Sequence, residues 1–572
     1  MEHYQKLERY CVQGQQIFLT SLFFLTLCFF HSVSLFAQTA PGKYWVQFSD
    51  KNNSPYSVEN PHEFLSDVCI ERRIRQGIGF DELDIPVNDH YIQQVLDLCN
   101  CQVHNVSKWF NAITISLSDS LIAQQLASLS FVVQVKSVRR AKSSNSADGK
   151  NVIAKNGAIN HGPTCSEFLS YGEGFRQIEM LNGHLLHALG YTGNGVTIAQ
   201  FDSGWSLTDQ LPAFDRMRRE GKIAMVRDFV LGDTANVYSL SSHGTLVLST
   251  MASWWPDSLI GTGPDATYCL FRTEDVQSEY LVEEDNWVAA AELSDSLGVQ
   301  IINSSLGYSL FDDPEMNHTY ADMDGNTTRC SVAADIASAK GILVVNSAGN
   351  SGNSAWRFIT APSDGDDVLC VGAVDANEVK AGFSGFGPAS DGDVKPNVAA
   401  MGQAVAYAAP DSTVLTGNGT SFSSPIVAGL AACLFEAFPH KTNHEIKRAI
   451  EASASQYLQP DDSLGYGIPD FMLAYQMLLG NNQRPNGDFA ASLFPNPCDN
   501  ELTVLLRDAP YCDVEFEIYD ASGKRVFEAI GILQDKEYGI IRLSGLSHLN
   551  AGMYSLHLGR AGKHSVLNFI RK

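Results

Sequence analysis

The chain has 572 residues, too many for one compact core, so two to four domains are expected. Apolar residues make up 44% and charged residues 18%, the balance of an ordinary globular protein, with no short repeat that would build a solenoid. Lys and Arg number 39 against 64 Asp and Glu, a formal charge of −25, which repels a phosphate backbone and argues against nucleic acid as a partner.

The run Ile17 to Phe30 is as long as a signal-peptide apolar segment and shorter than the roughly 20 residues of a membrane span. Residues 1–37 therefore read as an export signal, against the alternative of an uncleaved anchor. The flanks are irregular: Glu2 and Glu8 offset Lys6 and Arg9, and Leu35 stands where a cut after Ala37 prefers a small residue. Cys11 and Cys28 would leave with that segment, and the ten remaining cysteines are too sparse for a disulfide scaffold. Cys269, Cys370 and Cys433 sit in apolar runs and are expected as buried thiols. Cys99 and Cys101 form a lone C-x-C without the second pair that zinc requires. A Cys498 to Cys512 bridge stays open, because connectivity cannot be read from sequence.

Residues 43–140 run strand (KYWVQFSD), two helical stretches, strand (NAITISL), helix (SLIAQQLASL) and strand (FVVQVKSV), the order of a small α+β domain. Residues 141–162 are rich in Ser, Asn and Gly without apolar period, and predict an exposed linker open to proteolysis. Over 165–480, β-branched runs (VTIAQFD, VQIINSSL, GILVVNSAGN, VLCVGAVD) alternate with helical patterns, which predicts an α/β domain with a mainly parallel sheet between helices. Asp202, Ser305 and Asn350 fall where predicted strands stop, the end at which such sheets gather functional groups. A second linker at 481–490 precedes alternating runs over 491–572 (ELTVLL, VEFEIYD, MYSLHLG, HSVLNFI), expected as a small β-sandwich for recognition or attachment.

A serine hydroxyl attacks a carbonyl only when an imidazole takes its proton, and the imidazole must be oriented by a buried carboxylate. Asp202 ends a strand in IAQFDSG, His243 opens a helix in SSHGTLVLSTMAS, and Ser421 stands in GNGTSFSSPIVAG before an apolar helix. Each fragment alone reads as a cap or a structural histidine; together they form a candidate triad. Free N–H groups at that helix start favour developing negative charge. Pro425 is expected in the first turn, where its missing N–H is harmless.

These residues resemble the subtilase family of serine peptidases. DSG at Asp202, HGT at His243 and GTSFSSP around Ser421 look like its three signatures, in its Asp, His, Ser order. The resemblance spans about Gly183 to Ala474 and implies a three-layer α/β/α fold of the subtilisin type. It further implies that Ser305, Leu306 and Gly307 pair with the substrate backbone. Gly349 and Asn350 resemble the segment that lines the site, Asn350 as oxyanion donor. GFSGFGP and KPNVAAMG depart from the family forms, which bears on local loop shape and specificity.

Residues 43–140 resemble a subtilase propeptide, which assists folding and blocks the cleft; the alternative is an independent accessory domain. LFPNP, YDASGKRV, GMYSLHL and the basic end Arg571-Lys572 resemble the C-terminal sorting domain of type IX secretion, with a carbohydrate-binding sandwich as the competing idea. The expected protein is a secreted serine endopeptidase, a hydrolase made as a zymogen, acting on proteins or peptides without a cofactor. Its partners are its own propeptide and, through the last domain, the secretion machinery. The alternative is a catalytically silent surface binding protein on the same fold. Asp322, Asp324 and Asn326 form a turn that could hold structural Ca²⁺, against a simple solvated turn. His184 and His187 read as ordinary helix residues. No acidic residue occurs in Ser305 to Tyr308 or Asn346 to Asn353, so an apolar or aromatic side chain is expected before the cut bond.

Overall fold

The computed structural model describes residues 42–140, residues 169–479 except 233, 235 and 236, and, towards the C-terminus, 486–487, 491–494, 498, 500, 502–506, 514–531, 540–543, 545–560 and 563–572. The expected export signal, the 141–162 linker, most of the 481–490 linker and Cys512 lie outside the described residues.

The N-terminal domain runs β1 (Gly42–Phe48), α1 (Asp67–Gln76), α2 (Asp89–Cys99), β2 (Gln102–Ser107), β3 (Ala112–Leu117), α3 (Ser120–Ala127) and β4 (Val132–Arg140). Its antiparallel sheet has the order β2-β3-β1-β4. The sequence pattern misses β2, whose segment QVHNVS has no apolar alternation. As an edge strand it pairs through its backbone with β3 only, and its polar side chains Asn105 and Ser107 reach Asn286 and Glu292. Ser66 caps α1 by accepting the Cys69 N–H at 3.2 Å, and Gly77 ends the helix at φ 71°. Cys99 and Cys101 are joined as a disulfide, an outcome their C-x-C spacing does not announce.

The next domain is built on a seven-stranded, all-parallel sheet. Its strands are β5 (Thr197–Asp202), β6 (Ile223–Asp228), β7 (Thr267–Arg272), β8 (Ile301–Ser304), β9 (Leu343–Ser347), β10 (Leu369–Val374) and β11 (Val398–Met401), in the order β11-β10-β9-β8-β5-β7-β6. The central strands are buried because both faces are covered, whereas the edge strand β6 is partly exposed. On one face lie α4 (His243–Ala252) and, further along the chain, a long helix over Thr420–Ala437; on the other lie α5 (Val282–Leu297) and α6 (Arg329–Ala339). The Thr420–Ala437 helix, α7, has the length and hydropathy of a membrane span, but 89% of it is buried, so it is a core helix.

Helix α5 carries Glu283, Glu284, Asp285, Glu292 and Asp295, yet all five are buried. The N-terminal sheet covers this face: Trp45, Trp109, Ala112 and Val138 share one apolar core with Trp287, Val288 and Ala334. Each acid that faces the N-terminal domain finds donors there. Thr114 Oγ1 donates to Asp285 at 3.1 Å, and Glu292 accepts from Ser107 Oγ (2.6 Å), Lys108 N (2.7 Å) and Trp109 N (3.1 Å).

The C-terminal region forms a five-stranded and a three-stranded antiparallel sheet. Leu502 and Val504 of the smaller sheet share a core with Phe516, Ile518 and Leu556 of the larger, the expected small sandwich.

Candidate active site

Asp202 is the last residue of β5 and is wholly buried. Its Oδ1 accepts from Ser203 N (2.7 Å), Ser203 Oγ (3.2 Å) and His243 Nδ1 (2.7 Å), and its Oδ2 from Gln200 Nε2 (3.4 Å). Gln200 is itself fixed, because its Oε1 accepts Trp205 Nε1 at 3.0 Å and its Nε2 also donates to the Gly244 carbonyl at 3.0 Å. His243 opens α4, and the following residue ties the helix start to the loop after β5 through Gly244 N to Gly204 O at 3.0 Å. A carboxylate only accepts, so Nδ1 carries a proton and donates it to Asp202, and in the neutral tautomer the basic lone pair is on Nε2.

Ser421 is the second residue of α7 and nearly buried. Among the described residues its hydroxyl bonds to the Ser305 carbonyl at 3.4 Å, a long contact. Pro425 stands six residues into α7 rather than in its first turn, a correction to the sequence reading. Its missing N–H would have bonded to the Ser421 carbonyl four residues back, and that carbonyl takes the Ser305 hydroxyl at 3.0 Å instead. The segment after β8 and the start of α7 are thus sewn together at Ser421. Ser424 Oγ to Asn303 Oδ1 at 2.9 Å adds a second stitch.

Asn350 follows β9 and is exposed. Its side-chain oxygen accepts from Thr420 N (2.8 Å) and Thr420 Oγ1 (3.0 Å). A backbone N–H can only donate, so this contact assigns the oxygen and leaves Nδ2 as a donor beside Gly419 and the start of α7. The Ser421 N–H lies in the same first turn, where the helix itself supplies no acceptor. Asn350 Nδ2 and the Ser421 N–H are thus both donors at the start of α7.

Leu306 O accepts from Asn346 Nδ2 at 3.1 Å, and Gly307 is exposed at the strand edge. Thr360 lies behind this edge, a residue with no mark in the sequence. It is buried, and its hydroxyl has no hydrogen-bond partner among the described residues. A Cβ on Gly307 would come within 2.1 Å of Thr360 Oγ1 and one on Gly349 within 2.9 Å, so Thr360 fills the gap between the two glycine-bearing segments.

In the candidate calcium turn, Asp322 accepts from Thr319 N (2.6 Å) and Oγ1 (2.8 Å), while Asp324 accepts from Asn326 N (2.9 Å) and Thr327 Oγ1 (2.9 Å). Asn326 Nδ2 donates to Asp324 O at 3.0 Å, so all three side chains close local turns. His187 is a core residue between Tyr171 OH (2.8 Å) and Thr262 O (3.0 Å). Burial pushes it down to about 4 and His184 to about 3. Cys269, Cys370 and Cys433 are buried thiols, as their apolar runs imply.

Three family models match the chain: the subtilase family over residues 193–467, the peptidase S8 propeptide domain of Bacteroidota over 43–151, and a secretion system C-terminal sorting domain over 492–572. Subtilisin DY of Bacillus licheniformis is 28% identical over 292 residues, covering 51% of this chain and 93% of its own sequence. Subtilisin of Bacillus pumilus is 28% identical over 305 residues, 52% of this chain and 98% of its own. The crystal structure of MycP1 from Mycobacterium smegmatis aligns over 57% of this chain and 89% of that one, at 21% identity and a TM-score of 0.42. The sorting domain marks the chain for type IX secretion and attachment at the cell surface. The chain thus carries a peptidase domain of the subtilase family over residues 193–467, set between an S8 propeptide domain and a secretion system C-terminal sorting domain.

Proposed function

We propose that the chain is a secreted endopeptidase that cuts proteins through an acyl-enzyme, with Ser421 as nucleophile, His243 as base and Asp202 as the group that orients the imidazole. The observation that carries this reading is the 2.7 Å bond from His243 Nδ1 to the wholly buried Asp202. It fixes the tautomer that exposes a basic Nε2. An extended substrate lies along Ser305, Leu306 and Gly307. Ser421 Oγ forms a bond to the carbonyl carbon as its proton passes to Nε2, and the carbonyl oxygen takes the negative charge between Asn350 Nδ2 and the Ser421 N–H. The C–N bond then breaks, with the Nε2 proton going to the departing amine. Water attacks the ester, gives its proton to Nε2 and restores Ser421. No cofactor enters these steps.

The N-terminal domain acts as the inhibitor of its own peptidase until the 141–162 segment is cut. Ser421→Ala in the purified full chain tests the reading. It should keep residues 43–140 attached and leave labelled casein uncut, whereas normal self-processing of this variant in the absence of other proteases would refute it. The alternative of a catalytically silent binding protein rests on the turn of the Ser421 hydroxyl towards Ser305. It predicts no casein hydrolysis by the unsubstituted chain either.

A further inference from the structure

Between Thr197 and Asp202, strand β5 carries a single polar residue, Gln200. It stands two residues before Asp202, so both side chains project from the same face of the sheet, and both are wholly buried. A carboxamide away from water must find partners in the protein for its oxygen and its N–H groups. Trp205, also wholly buried, donates its Nε1–H to Gln200 Oε1 at 3.0 Å. An indole N–H only donates, so this contact fixes which end of the amide is oxygen and turns Nε2 towards the triad.

Nε2 donates to the Gly244 carbonyl at 3.0 Å and to Asp202 Oδ2 at 3.4 Å. The hydrogen bonds that Asp202 takes from Ser203 N, Ser203 Oγ and His243 Nδ1 all fall on Oδ1. Among the described residues, Gln200 is therefore the donor to Oδ2. Gly244 follows His243 in α4, and its lack of a side chain lets the indole lie against the helix start. A Cβ there would come within 2.9 Å of Trp205 Nε1 and 2.5 Å of the Gly204 carbonyl oxygen. Few other charges face the pair. Helix α4 has no charged side chain besides His243, α7 has none before Glu436, and Asp209 in the loop after β5 is exposed. Arg272, opposite Asp202 in the register of β5 and β7, donates to Asp228 at 2.9 Å and to the Ser203 carbonyl at 3.1 Å.

We propose that Gln200 is a positioning residue of the triad: one amide nitrogen, aimed by Trp205, holds the Asp202 carboxylate and the helix start that carries His243 in a single frame. The inference rests on the catalytic reading of Asp202 and His243, but its physical content can be read without catalysis. A donor on Oδ2 takes up part of the carboxylate's charge. Without it the charge falls more fully on the imidazole, which then keeps its proton to higher pH. Without the bond to Gly244 the strand end and the helix start lose a tie, and the imidazole is held less closely in register for proton transfer. A side chain that only filled the core would be replaceable by an apolar one of the same shape.

The test has two arms on the full chain. In the first, carried in Ser421→Ala, the His243 ring resonance, assigned by comparison with His243→Asn, is followed by NMR through its titration. Gln200→Met, which keeps the shape and removes the donor, should raise the midpoint by about half to one pH unit, the size of one ordinary hydrogen bond. Trp205→Phe removes only the N–H that aims the amide and should shift it less, in the same direction. In the second arm the variants are made in the unsubstituted chain and assayed on one peptide substrate. Gln200→Met should lower kcat about tenfold with KM little changed and move the acid limb of kcat/KM upward with the NMR midpoint. A parent that cuts no peptide, alongside a raised midpoint in the first arm, would overturn the catalytic reading and leave the brace standing. A midpoint unchanged or lowered in Gln200→Met overturns the inference, as does a loss of kcat with the acid limb unmoved. If Gln200→Met does not fold, Gln200→Met/Trp205→Phe decides on the same midpoint, since it removes both buried partners and leaves no indole N–H unpaired.

Discussion

The Ser305 hydroxyl donates to the carbonyl oxygen of Ser421 at 3.0 Å, the acceptor that Pro425 has no N–H to reach. Ser305→Ala leaves that carbonyl buried and unpaired, a loss of about 1–3 kcal/mol. Pro425→Ala supplies an N–H in helical register with the same carbonyl, so it should recover part of the loss in the Ser305→Ala background. Denaturant unfolding of the two single variants and the double variant gives the coupling. Strictly additive effects would show that the two residues do not share this acceptor.

Asn350 is held by Thr420, which leaves its amide nitrogen to donate. Asn350→Ala should lower kcat by about 10² to 10³ with KM little changed, a magnitude carried over from the subtilisin precedent. Asn350→Asp should be at least as damaging, because its carboxylate can still accept from Thr420 but opposes the oxyanion. Steady-state kinetics on one peptide substrate separates these outcomes from a loss confined to KM, which would make Asn350 a binding residue only.

The positions of Asp202, His243 and Ser421 were legible because each stands at an element boundary that the sequence marks by itself: a strand end, a helix start, a small-residue turn before an apolar helix. The role of Pro425 was misread because the pattern shows where a proline lies but not where the helix begins, and α7 starts five residues earlier. Strand β2 was invisible because an edge strand can be held by backbone bonds with no apolar alternation to reveal it. Thr360 left no trace, since a threonine between Ile359 and Ala361 becomes special only when two distant glycine segments close around it. The burial of Glu292 and Asp295 was equally hidden, because an acidic helix reads as solvated until the domain that covers it is in place.

Thr360 narrows the space between Gly307 and Gly349, so the apolar side chain accepted before the cut bond should be of moderate size, leucine or methionine ahead of phenylalanine or tyrosine. Thr360→Gly should raise kcat/KM for aromatic residues there by about tenfold or more, in the range of a few methylene groups of pocket space. Profiling with a peptide library reads the shift. Selection for lysine or arginine, or an unchanged profile in the variant, would remove Thr360 from the pocket.

Burial pushes the Glu292 carboxyl from 4.5 up to about 6 in the docked state. Asp285, also buried against the propeptide sheet, rises to about 6. Undocking returns Glu292 to water and to its ordinary value. The docked state therefore holds a proton that the free state releases. Its contribution is full below about pH 4.5 and is lost as pH rises through about 6, amounting to about 2 kcal/mol for Glu292. The propeptide should leave faster at pH 7 than at pH 5, and Glu292→Gln should flatten that dependence. Stopped-flow measurement of release across this range checks the sign, and faster release at pH 5 would reverse it.

The most direct test of the catalytic reading is the site of reaction with a fluorophosphonate, which needs an activated serine and forms a stable phosphonyl ester. Intact and peptide mass spectrometry of the processed enzyme should show one adduct, on Ser421, and His243→Ala should slow its formation by about 10³-fold or more. An adduct elsewhere, no adduct, or labelling of Ser421 at an unchanged rate without His243 would contradict the assignment.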